Sequence, residues 1–177
     1  MAITLHNVQK TFVGKASSTV TPVLESIDLH VPNGRIAAVF GPNGCGKTTI
    51  LNIISGIENA DSGTVAVTDN GSGCPGLGFA FQNFRDVLLP WQSALDNVAF
   101  GLRAAGVSRA EARRKAGAFL NDHGFSIPRE NYSYQLSMGQ QQSVALARVL
   151  LLDPANVLLD EPFSALDHDA RLRMRDV

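Results

Sequence analysis

The chain has 177 residues, of which 45% are hydrophobic and 18% charged, and its formal net charge is −1. This length and composition exclude a disordered chain and predict one folded domain, residues 1–177, that needs no disulfides or metals to hold its core. The absence of a basic excess argues against nucleic acid as a partner, because the one basic stretch, Arg109–Lys115, also contains Glu111 and is typical of a solvated helix face. The sequence has no apolar run of the roughly 18 residues that a membrane span requires.

Two kinds of strand are predicted along the chain. Ile3–Val8, Ile27–Val31 and Val65–Val67 alternate apolar with polar residues, which indicates half-buried antiparallel strands. Arg35–Phe40 and Val157–Leu159 are nearly continuous apolar runs, as expected for parallel strands covered by helices on both faces. The fold class is therefore α/β, with a parallel core sheet and an N-terminal antiparallel β subdomain.

A helical insert is predicted at about 93–150. Ser93 with Asp96, and Ser108 with Glu111, have the spacing of N-terminal capping boxes. Gly124 suits a helix stop. We therefore expect a helical subdomain between the strands.

The clearest chemical motif is a glycine-rich loop between a predicted strand and a predicted helix. It consists of Gly41, Pro42, Asn43, Gly44, Cys45, Gly46, Lys47, Thr48 and Thr49. The glycines let backbone N–H groups surround phosphate oxygens at a helix N-terminus, while Lys47 reaches the terminal phosphates and the Thr48 hydroxyl binds Mg²⁺. This is the Walker A pattern in its required context, and it predicts ATP and Mg²⁺ as ligands.

A second motif is the acidic end of the apolar run Val157–Leu159. Asp160 and Glu161 follow it directly, where the carboxyl ends of parallel strands form the ligand-binding edge of a sheet. Asp160 would hold Mg²⁺, and Glu161 would polarise the water that attacks the γ-phosphate. Taken alone, the pair fits a strand end before a turn at Pro162 equally well; beside the phosphate loop, the catalytic interpretation is favoured.

Further motifs carry a resemblance to a family. Leu136-Ser137-Met138-Gly139-Gln140, followed by Gln141-Gln142, is similar to the signature LSGGQ. The stretch from Asp160 to Asp167 is similar to Walker B running into a D-loop, and Gln82 follows the predicted strand Leu77–Phe81 as a Q-loop glutamine does. In order and spacing, nearly the whole chain resembles ABC transporter ATPase domains.

The resemblance implies roles for several residues. Gln82 would contact the metal and link the γ-phosphate to movement. Ser137, Gly139 and Gln140 would meet the ATP bound by the opposite subunit, and Asp167 belongs to the D-loop. Ser137 with Gln140, and Ser164 with Asp167, also have capping-box spacing, which is compatible with these roles. Phe12 matches an aromatic that stacks on adenine, although a buried strand-end phenylalanine is an equally good interpretation.

The sequence departs from the family's signature at two positions. Met138 stands where glycine is commonest, and Ser143 stands where arginine is usual. Because Ser137 and Gly139 are retained, we expect the phosphate contact to survive.

The segment after Gln82 suggests a branch of the family. Phe84–Trp91, with its Leu-Leu-Pro-Trp ending, and Asn97–Leu102 resemble importers of the nitrate, taurine and aliphatic-sulfonate group. The resemblance implies transmembrane permease subunits, a second ATPase subunit in a homodimer and, indirectly, a periplasmic solute-binding protein as partners, with the chain peripheral on the cytoplasmic side of the inner membrane. An apolar turn packed on the core is the alternative for the Leu-Leu-Pro-Trp segment, and a non-hydrolysing nucleotide-binding module is the alternative function.

The end of the sequence also departs from the family pattern. In the family, the D-loop leads through a helix to a strand ending in a histidine that contacts the γ-phosphate. This chain ends at Val177, and His168 lies too close to Asp167 to be that histidine. We therefore expect a chain truncated after the D-loop, which alone binds ATP weakly and hydrolyses it slowly.

Overall fold

Five strands and six α-helices make up the part of the chain that the structure, a computed structural model, describes: residues 2–14, 20–67 and 76–162. In chain order they are β1 (Ile3–Val13), β2 (Val20–Val31), α1 (Lys47–Ile54), β3 (Ser62–Val67), β4 (Gly78–Ala80), α2 (Phe84–Val87), α3 (Ala94–Val98), α4 (Phe100–Ala104), α5 (Arg109–Asp122), a 3₁₀ turn (Ser133–Gln135), α6 (Met138–Leu150) and β5 (Val157–Leu159). They divide into two compact units, Met1–Leu77 and Gly78–Val177. Among the described helices, none is both long and apolar enough to cross a membrane.

The first unit contains a three-stranded antiparallel sheet in the order β2-β1-β3. Leu5 and Val8 of the central strand are buried, and Leu5 lies opposite Leu29 of β2 and Val65 of β3. The register shifts between Leu5 and Val8, where Asn7 adopts a φ of 48°. A bulge of this kind inserts an extra residue and increases the local twist. The three alternating segments predicted as antiparallel strands are confirmed.

Helix α1 begins inside the predicted phosphate loop. Its buried residues are Ile50, Ile53 and Ile54, and their spacing of three and four places them on one face. The helix ends at Ile54, and Gly56 follows with a φ of 76°, a conformation that glycine adopts without steric cost.

The apolar run Arg35–Phe40 was predicted to be a parallel strand, but the structure has no strand at these positions. Ile36 is fully exposed and Phe40 is 90% exposed. A run of this composition becomes a strand only where a neighbouring strand completes its backbone hydrogen bonds. No described strand of the first unit pairs with it, so this expectation is wrong.

The second unit contains a parallel pair of strands, β4 and β5. Gly78 lies opposite Val157, and Ala80 lies opposite Leu159. This confirms the parallel strand predicted at Val157–Leu159 and the strand predicted at Leu77–Phe81. Because the two strands run in the same direction, the residues that follow each of them lie at one edge of the sheet.

Helices form the core of the second unit, as the helical periodicity predicts. Ala112, Ala116 and Leu120 of α5 recur every four residues and are almost fully buried, and the two small alanines let α3 approach closely. The buried cluster is Phe84, Leu88, Ala94, Leu95, Val98, Ala99, Ala112, Ala116, Leu120, Phe125, Ile127, Leu136, Val144, Ala145 and Ala147.

The predicted start and stop signals are also confirmed: Ser93 and Ser108 accept hydrogen bonds at the starts of α3 and α5, and Gly124 follows α5 with a φ of 66°.

A buried carboxylate joins α3 to α5. Asp96 Oδ2 accepts hydrogen bonds from Arg113 Nη1 at 2.7 Å, from Arg109 Nη2 at 3.0 Å and from Ser93 Oγ at 3.1 Å. Its side chain is 7% exposed. The basic stretch of α5 was predicted to form a solvated face. This is correct for Arg114, which pairs with Glu111 at the surface. It is wrong for Arg113, which pairs with the buried Asp96. The periodicity of α5 does not reveal that a carboxylate on another helix lies within reach.

Replacing Asp96 by asparagine should lower the free energy of unfolding by about 2 kcal/mol, because the arginines then lose their charged acceptor in a largely buried site. The control is Glu130→Gln, which removes the other acceptor of Arg113, a carboxylate 72% exposed. Exposed pairs contribute little, so the control should lose less than about 0.5 kcal/mol. Urea unfolding at pH 7 measures both losses, and equal losses would contradict a buried network centred on Asp96.

The same network predicts a pH dependence. Burial by itself would raise the pKa of Asp96, but the hydrogen bonds from Arg109 and Arg113 outweigh it, so its pKa lies below the ordinary value. A carboxyl with a lowered pKa stabilises the fold above its unfolded pKa of about 3.9, and this stabilisation is lost as the pH falls through the folded pKa. The difference in stability between wild type and Asp96→Asn should therefore shrink when the measurement is repeated below about pH 3.

Candidate nucleotide-binding and hydrolytic site

The predicted phosphate loop lies at the start of α1. Cys45 N donates to Pro42 O at 3.3 Å, which closes a turn, and Gly44 and Gly46 have φ angles of 82° and 98°. Gly46 is the N-cap of α1 and has no side chain to accept from the first N–H groups of the helix. The loop therefore presents backbone donors at a positive helix end, which is the local chemistry of an anion site.

Lys47 folds back over this loop. Its Nζ donates to Gly41 O and to Pro42 O, each at 3.0 Å. The two carbonyls fix the ammonium beside the turn that carries the backbone donors. The ammonium thus lies beside the turn that leads into α1, within the predicted loop Gly41–Thr49.

A second group of predicted residues comes together at the end of the β4–β5 pair. Gln82 Nε2 donates to Glu161 Oε2 at 3.2 Å, although 79 positions separate the two residues in the sequence. Asp160 is buried, and its N–H donates to Ala80 O at 3.0 Å, continuing the ladder beyond β5. Parallel pairing therefore places Gln82, Asp160 and Glu161 at one sheet edge.

The backbone at Glu161 adopts a φ of 49°. A residue with a side chain rarely occupies this left-handed region, and it does so at some cost in free energy. Strain of this kind is often found at functional positions. At Glu161, the turn directs an exposed carboxylate away from the end of β5 and towards the amide of Gln82.

Two glutamines of α6, Gln141 and Gln142, support the turn at Glu161 and the loop before α6. The sequence had suggested no role for either of them. Gln142, buried in α6, donates from Nε2 to Glu161 O at 3.4 Å and so fixes the strained turn. Gln141 Nε2 donates to Ser133 O at 2.8 Å and to Leu136 O at 3.0 Å, which closes the loop before α6. Gln142 lies one helical turn before the buried Ala145 and Leu146, so it shares their buried face of α6. A polar residue on the face of a helix that packs on the core needs a hydrogen-bond partner, and this signal could have identified Gln142 from the sequence.

The signature loop forms the capped start of α6. Ser137 Oγ accepts from Gln140 N at 3.2 Å, and Gln140 Oε1 accepts from Ser137 N at 3.0 Å, so the capping box predicted here is present. Met138 is half exposed and leaves the cap intact. Ser143 Oγ donates to Gly139 O at 2.8 Å, within the helix. Neither departure from the usual signature prevents Ser137 and Gly139 from lying at a helix N-terminus.

Phe12 lies near the end of β1 and is 42% exposed. A buried strand-end phenylalanine was one of the two interpretations of this residue, and its exposure contradicts that interpretation. The aromatic ring is accessible at the surface of the first unit.

The Leu-Leu-Pro-Trp ending of the segment after Gln82 is packed on the core at its start and exposed at its end. Leu88 is buried in the helical core, whereas Trp91 is 71% exposed. Asn97, fully buried, fixes the turn between them: its Oδ1 accepts from Leu89 N at 2.8 Å, and its Nδ2 donates to Leu89 O and Gln92 O at 3.1 Å. The buried amide thus holds an exposed tryptophan on a rigid turn.

The predicted site residues are distributed over both units. Phe12 and the phosphate loop belong to Met1–Leu77, and Gln82, Asp160, Glu161 and the signature loop belong to Gly78–Val177. Asp167 and the capping box predicted for Ser164 lie outside the described residues.

Comparison with protein families and curated proteins gives consistent matches. A family model described as ABC transporter matches residues 24–164. The taurine import ATP-binding protein TauB of Chromobacterium violaceum is 42% identical over 176 residues, covering 99% of this chain and 66% of that protein. TauB of Escherichia coli is 42% identical over 156 residues, covering 87% of this chain and 60% of that protein. The chain thus spans just under two thirds of the length of these relatives.

Two solved structures are similar to the chain over 98% of its length and 80% of theirs. One is a dimeric bacterial ABC transporter cassette, with 31% identity and a TM-score of 0.85. The other is a dimeric ATP-binding cassette in a post-hydrolysis state bound to ADP and Pi, with 30% identity and a TM-score of 0.86.

Two of the three glycines of the phosphate loop, Gly44 and Gly46, allow a matched test of its geometry. Both have positive φ, so an alanine at either position should cost about 1 kcal/mol in backbone strain. A Cβ at Gly46 would also lie 2.8 Å from Leu24 Cδ2, whereas a Cβ at Gly44 has nothing within 4 Å. Gly46→Ala should therefore lose a further 1–3 kcal/mol or so through overpacking. Urea unfolding of both variants measures this difference, and equal losses would show that the loop does not pack against Leu24.

Proposed function

The chain belongs to the ABC transporter family, and on that premise we propose that it is the ATP-binding and ATP-hydrolysing subunit that powers an importer of taurine, another sulfonate, nitrate or a similar small solute. The observation that carries this proposal is the phosphate loop, in which Lys47 Nζ donates to two backbone carbonyls of the glycine-rich turn at the start of α1. The proposed solute class is supported by the Leu-Leu-Pro-Trp segment and by the TauB relatives.

In this proposal, the phosphate loop binds the triphosphate of ATP. The N–H groups of residues 43–48 and the ammonium of Lys47 neutralise the β- and γ-phosphates. Mg²⁺ would be held by the Thr48 hydroxyl, by the Asp160 carboxylate and by the Gln82 amide oxygen, which are the hard oxygen ligands that this ion prefers. The metal supplies positive charge that stabilises the transferring phosphoryl group.

Glu161 is the proposed general base. A carboxylate at the end of a strand can accept a hydrogen bond from water and orient it towards the γ-phosphate. The hydrogen bond from Gln82 supports this role, because it holds the carboxylate by one oxygen and leaves the other for water. The same hydrogen bond connects Glu161 to the segment that leads into α2. A change at the γ-phosphate would therefore be transmitted through Gln82 to the Leu88–Trp91 turn.

A second copy of the chain would complete each site. The capped start of α6 carries Ser137, Gly139 and Gln140, and a helix N-terminus with a serine hydroxyl is suited to a γ-phosphate. We propose that it contacts the ATP held by the other subunit, and that Asp167 is the D-loop residue of the chain. The dimeric cassettes to which the chain is similar support this arrangement. We also propose that residues 1–177 form one ATPase domain, with a helical subdomain at about 93–150.

The permease would bind at the surface around Trp91. An exposed tryptophan on a turn fixed by a buried amide is a suitable anchor for a partner, because little conformational freedom is lost on binding. The chain would then lie on the cytoplasmic side of the inner membrane, held there by the permease and reached only indirectly by a periplasmic solute-binding protein. Nucleic acid is not among the proposed partners.

Two substitutions separate nucleotide binding from hydrolysis. Lys47→Ala should weaken ATP binding at least tenfold, because it removes a charged donor to the phosphates. Glu161→Gln keeps the shape and the acceptor for Gln82, so it should change ATP affinity less than about twofold but slow phosphate release about 100-fold or more. Calorimetry gives the affinities, and single-turnover release of radiolabelled phosphate gives the rates relative to wild type.

The outcomes distinguish the candidate functions. If Lys47→Ala binds ATP as well as wild type does, the loop is not the nucleotide site. If Glu161→Gln releases phosphate at the wild-type rate, the base has been assigned wrongly. If wild type binds ATP, and neither this chain nor a C-terminally extended form shows Mg²⁺-dependent release above its Glu161→Gln variant, the chain is the non-hydrolysing nucleotide-binding module.

A further inference from the structure

Lys10 is a lysine of strand β1 that is almost completely buried. It is 8% exposed, and its Nζ lies 5.2 Å from the centroid of the Phe12 ring, two residues along the same strand. An ammonium at this distance is attracted to the face of an aromatic ring. One face of Phe12 is therefore occupied from within the chain, although the residue as a whole is exposed.

Three acceptors hold the ammonium in place. Glu58 Oε1 lies 2.7 Å from Lys10 Nζ, Asn59 O lies at 2.8 Å and Asp61 Oδ1 lies at 3.2 Å. A lysine has three N–H donors, so these contacts use all of them. The hydrogen bond to Glu58 and the negative charges of Glu58 and Asp61 raise the pKa of Lys10 despite its burial, and the side chain stays charged at neutral pH.

Asp61 also holds the strand itself. Its Oδ2 accepts from Thr11 N and from Thr11 Oγ1, each at 2.7 Å, and its own N–H donates to Gln9 O at 2.9 Å. The backbone on both sides of Lys10, up to the residue before Phe12, is thus attached to the segment 58–61. The position of the ring is fixed by side-chain contacts in addition to the sheet.

The segment 58–61 is in turn attached to the helix that carries the phosphate loop. Ile57 N and Glu58 N donate to Asn52 O at 3.0 and 3.2 Å, and Asn52 belongs to α1. Helix α1 has eight residues, a length of about 12 Å, and Lys47 lies at its other end. Lys10 therefore joins the aromatic ring to the far end of the helix that begins at the phosphate loop.

We propose that Lys10 is a positioning residue for the nucleobase, which holds one face of Phe12 so that the opposite face receives the adenine of a nucleotide bound at the phosphate loop. The proposal rests on the nucleotide-binding function proposed above and adds a residue that acts through Phe12. A ring held by a cation on one face keeps its orientation in the free protein, so less freedom is lost when a base stacks on the other face.

A purely structural lysine would affect every ligand of the phosphate loop alike, whereas a positioning lysine affects only ligands that have a base. The test therefore compares ATP with inorganic tripolyphosphate, which has the phosphates alone. Lys10→Met keeps the length of the side chain and removes its charge, and it should weaken ATP binding about three- to tenfold. Affinity for tripolyphosphate should stay within about twofold of the wild-type value.

Four further variants make the comparison specific. Phe12→Ala should reduce ATP affinity at least as much as Lys10→Met does, and adding Lys10→Met to it should have no further effect, because the ring is gone. Lys10→Arg keeps a cation near the ring and should recover part of the loss. Glu58→Gln removes the negative charge nearest to the Lys10 ammonium and keeps the lysine. It should therefore weaken ATP binding less than Lys10→Met does, and leave tripolyphosphate binding unchanged. This variant replaces Lys10→Met in the test if Lys10→Met does not fold.

Calorimetric titration of the full 177-residue chain gives all of these affinities, and thermal melting verifies that each variant is folded. Equal losses for ATP and tripolyphosphate, or no loss for ATP, would overturn the role of Lys10. If wild type binds tripolyphosphate, but Phe12→Ala binds ATP with the wild-type affinity, then Phe12 does not stack on adenine. The proposed phosphate site is not contradicted by that result. If wild type binds neither ligand, the proposed nucleotide-binding function fails, and the role of Lys10 fails with it.

Discussion

The Lys47 ammonium is held against the carbonyls of Gly41 and Pro42, and the proposed nucleotide site depends on this constraint. These bonds hold a positive charge beside the turn that leads into α1. The N-cap of that helix is Gly46, which has no side chain to accept a hydrogen bond from the first turn. An anion is the group that would satisfy both features, since phosphate oxygens accept hydrogen bonds and carry the opposite charge.

The chemistry proposed for the second unit depends on the parallel pairing of β4 with β5. That register places Gln82 and Glu161 at hydrogen-bond distance and lets Gln142 hold the turn that carries the carboxylate. The segment after Gln82 then connects this edge to the surface. Helix α2 begins two residues after Gln82, and the side chain of Asn97 fixes the turn that carries Trp91. The residue proposed to respond to the nucleotide and the surface proposed to bind a partner thus belong to consecutive parts of one segment.

Local patterns predicted much of this arrangement, and the features that were missed involve contacts between distant residues. The phosphate loop, the acidic strand end and the caps at Ser93, Ser108 and Ser137 each depend on neighbouring residues, so a short stretch of sequence contains the required information. Arg35–Phe40 has the composition of a strand, but composition cannot supply the neighbouring strand on which its hydrogen bonds depend. The Arg113–Asp96 pair joins two helices, and Lys10 is held by acids about 50 positions away in the sequence; neither partner could be identified from spacing.

The most direct test of the central claim is amide hydrogen exchange of the chain with and without Mg²⁺ and ATP. If the backbone of the phosphate loop binds the phosphates, the N–H groups of residues 43–48 should exchange at least tenfold more slowly with nucleotide present, because their hydrogens are then donated to phosphate oxygens. Unchanged exchange in this loop, under conditions where calorimetry shows ATP to be bound, would contradict the account and place the nucleotide elsewhere on the protein.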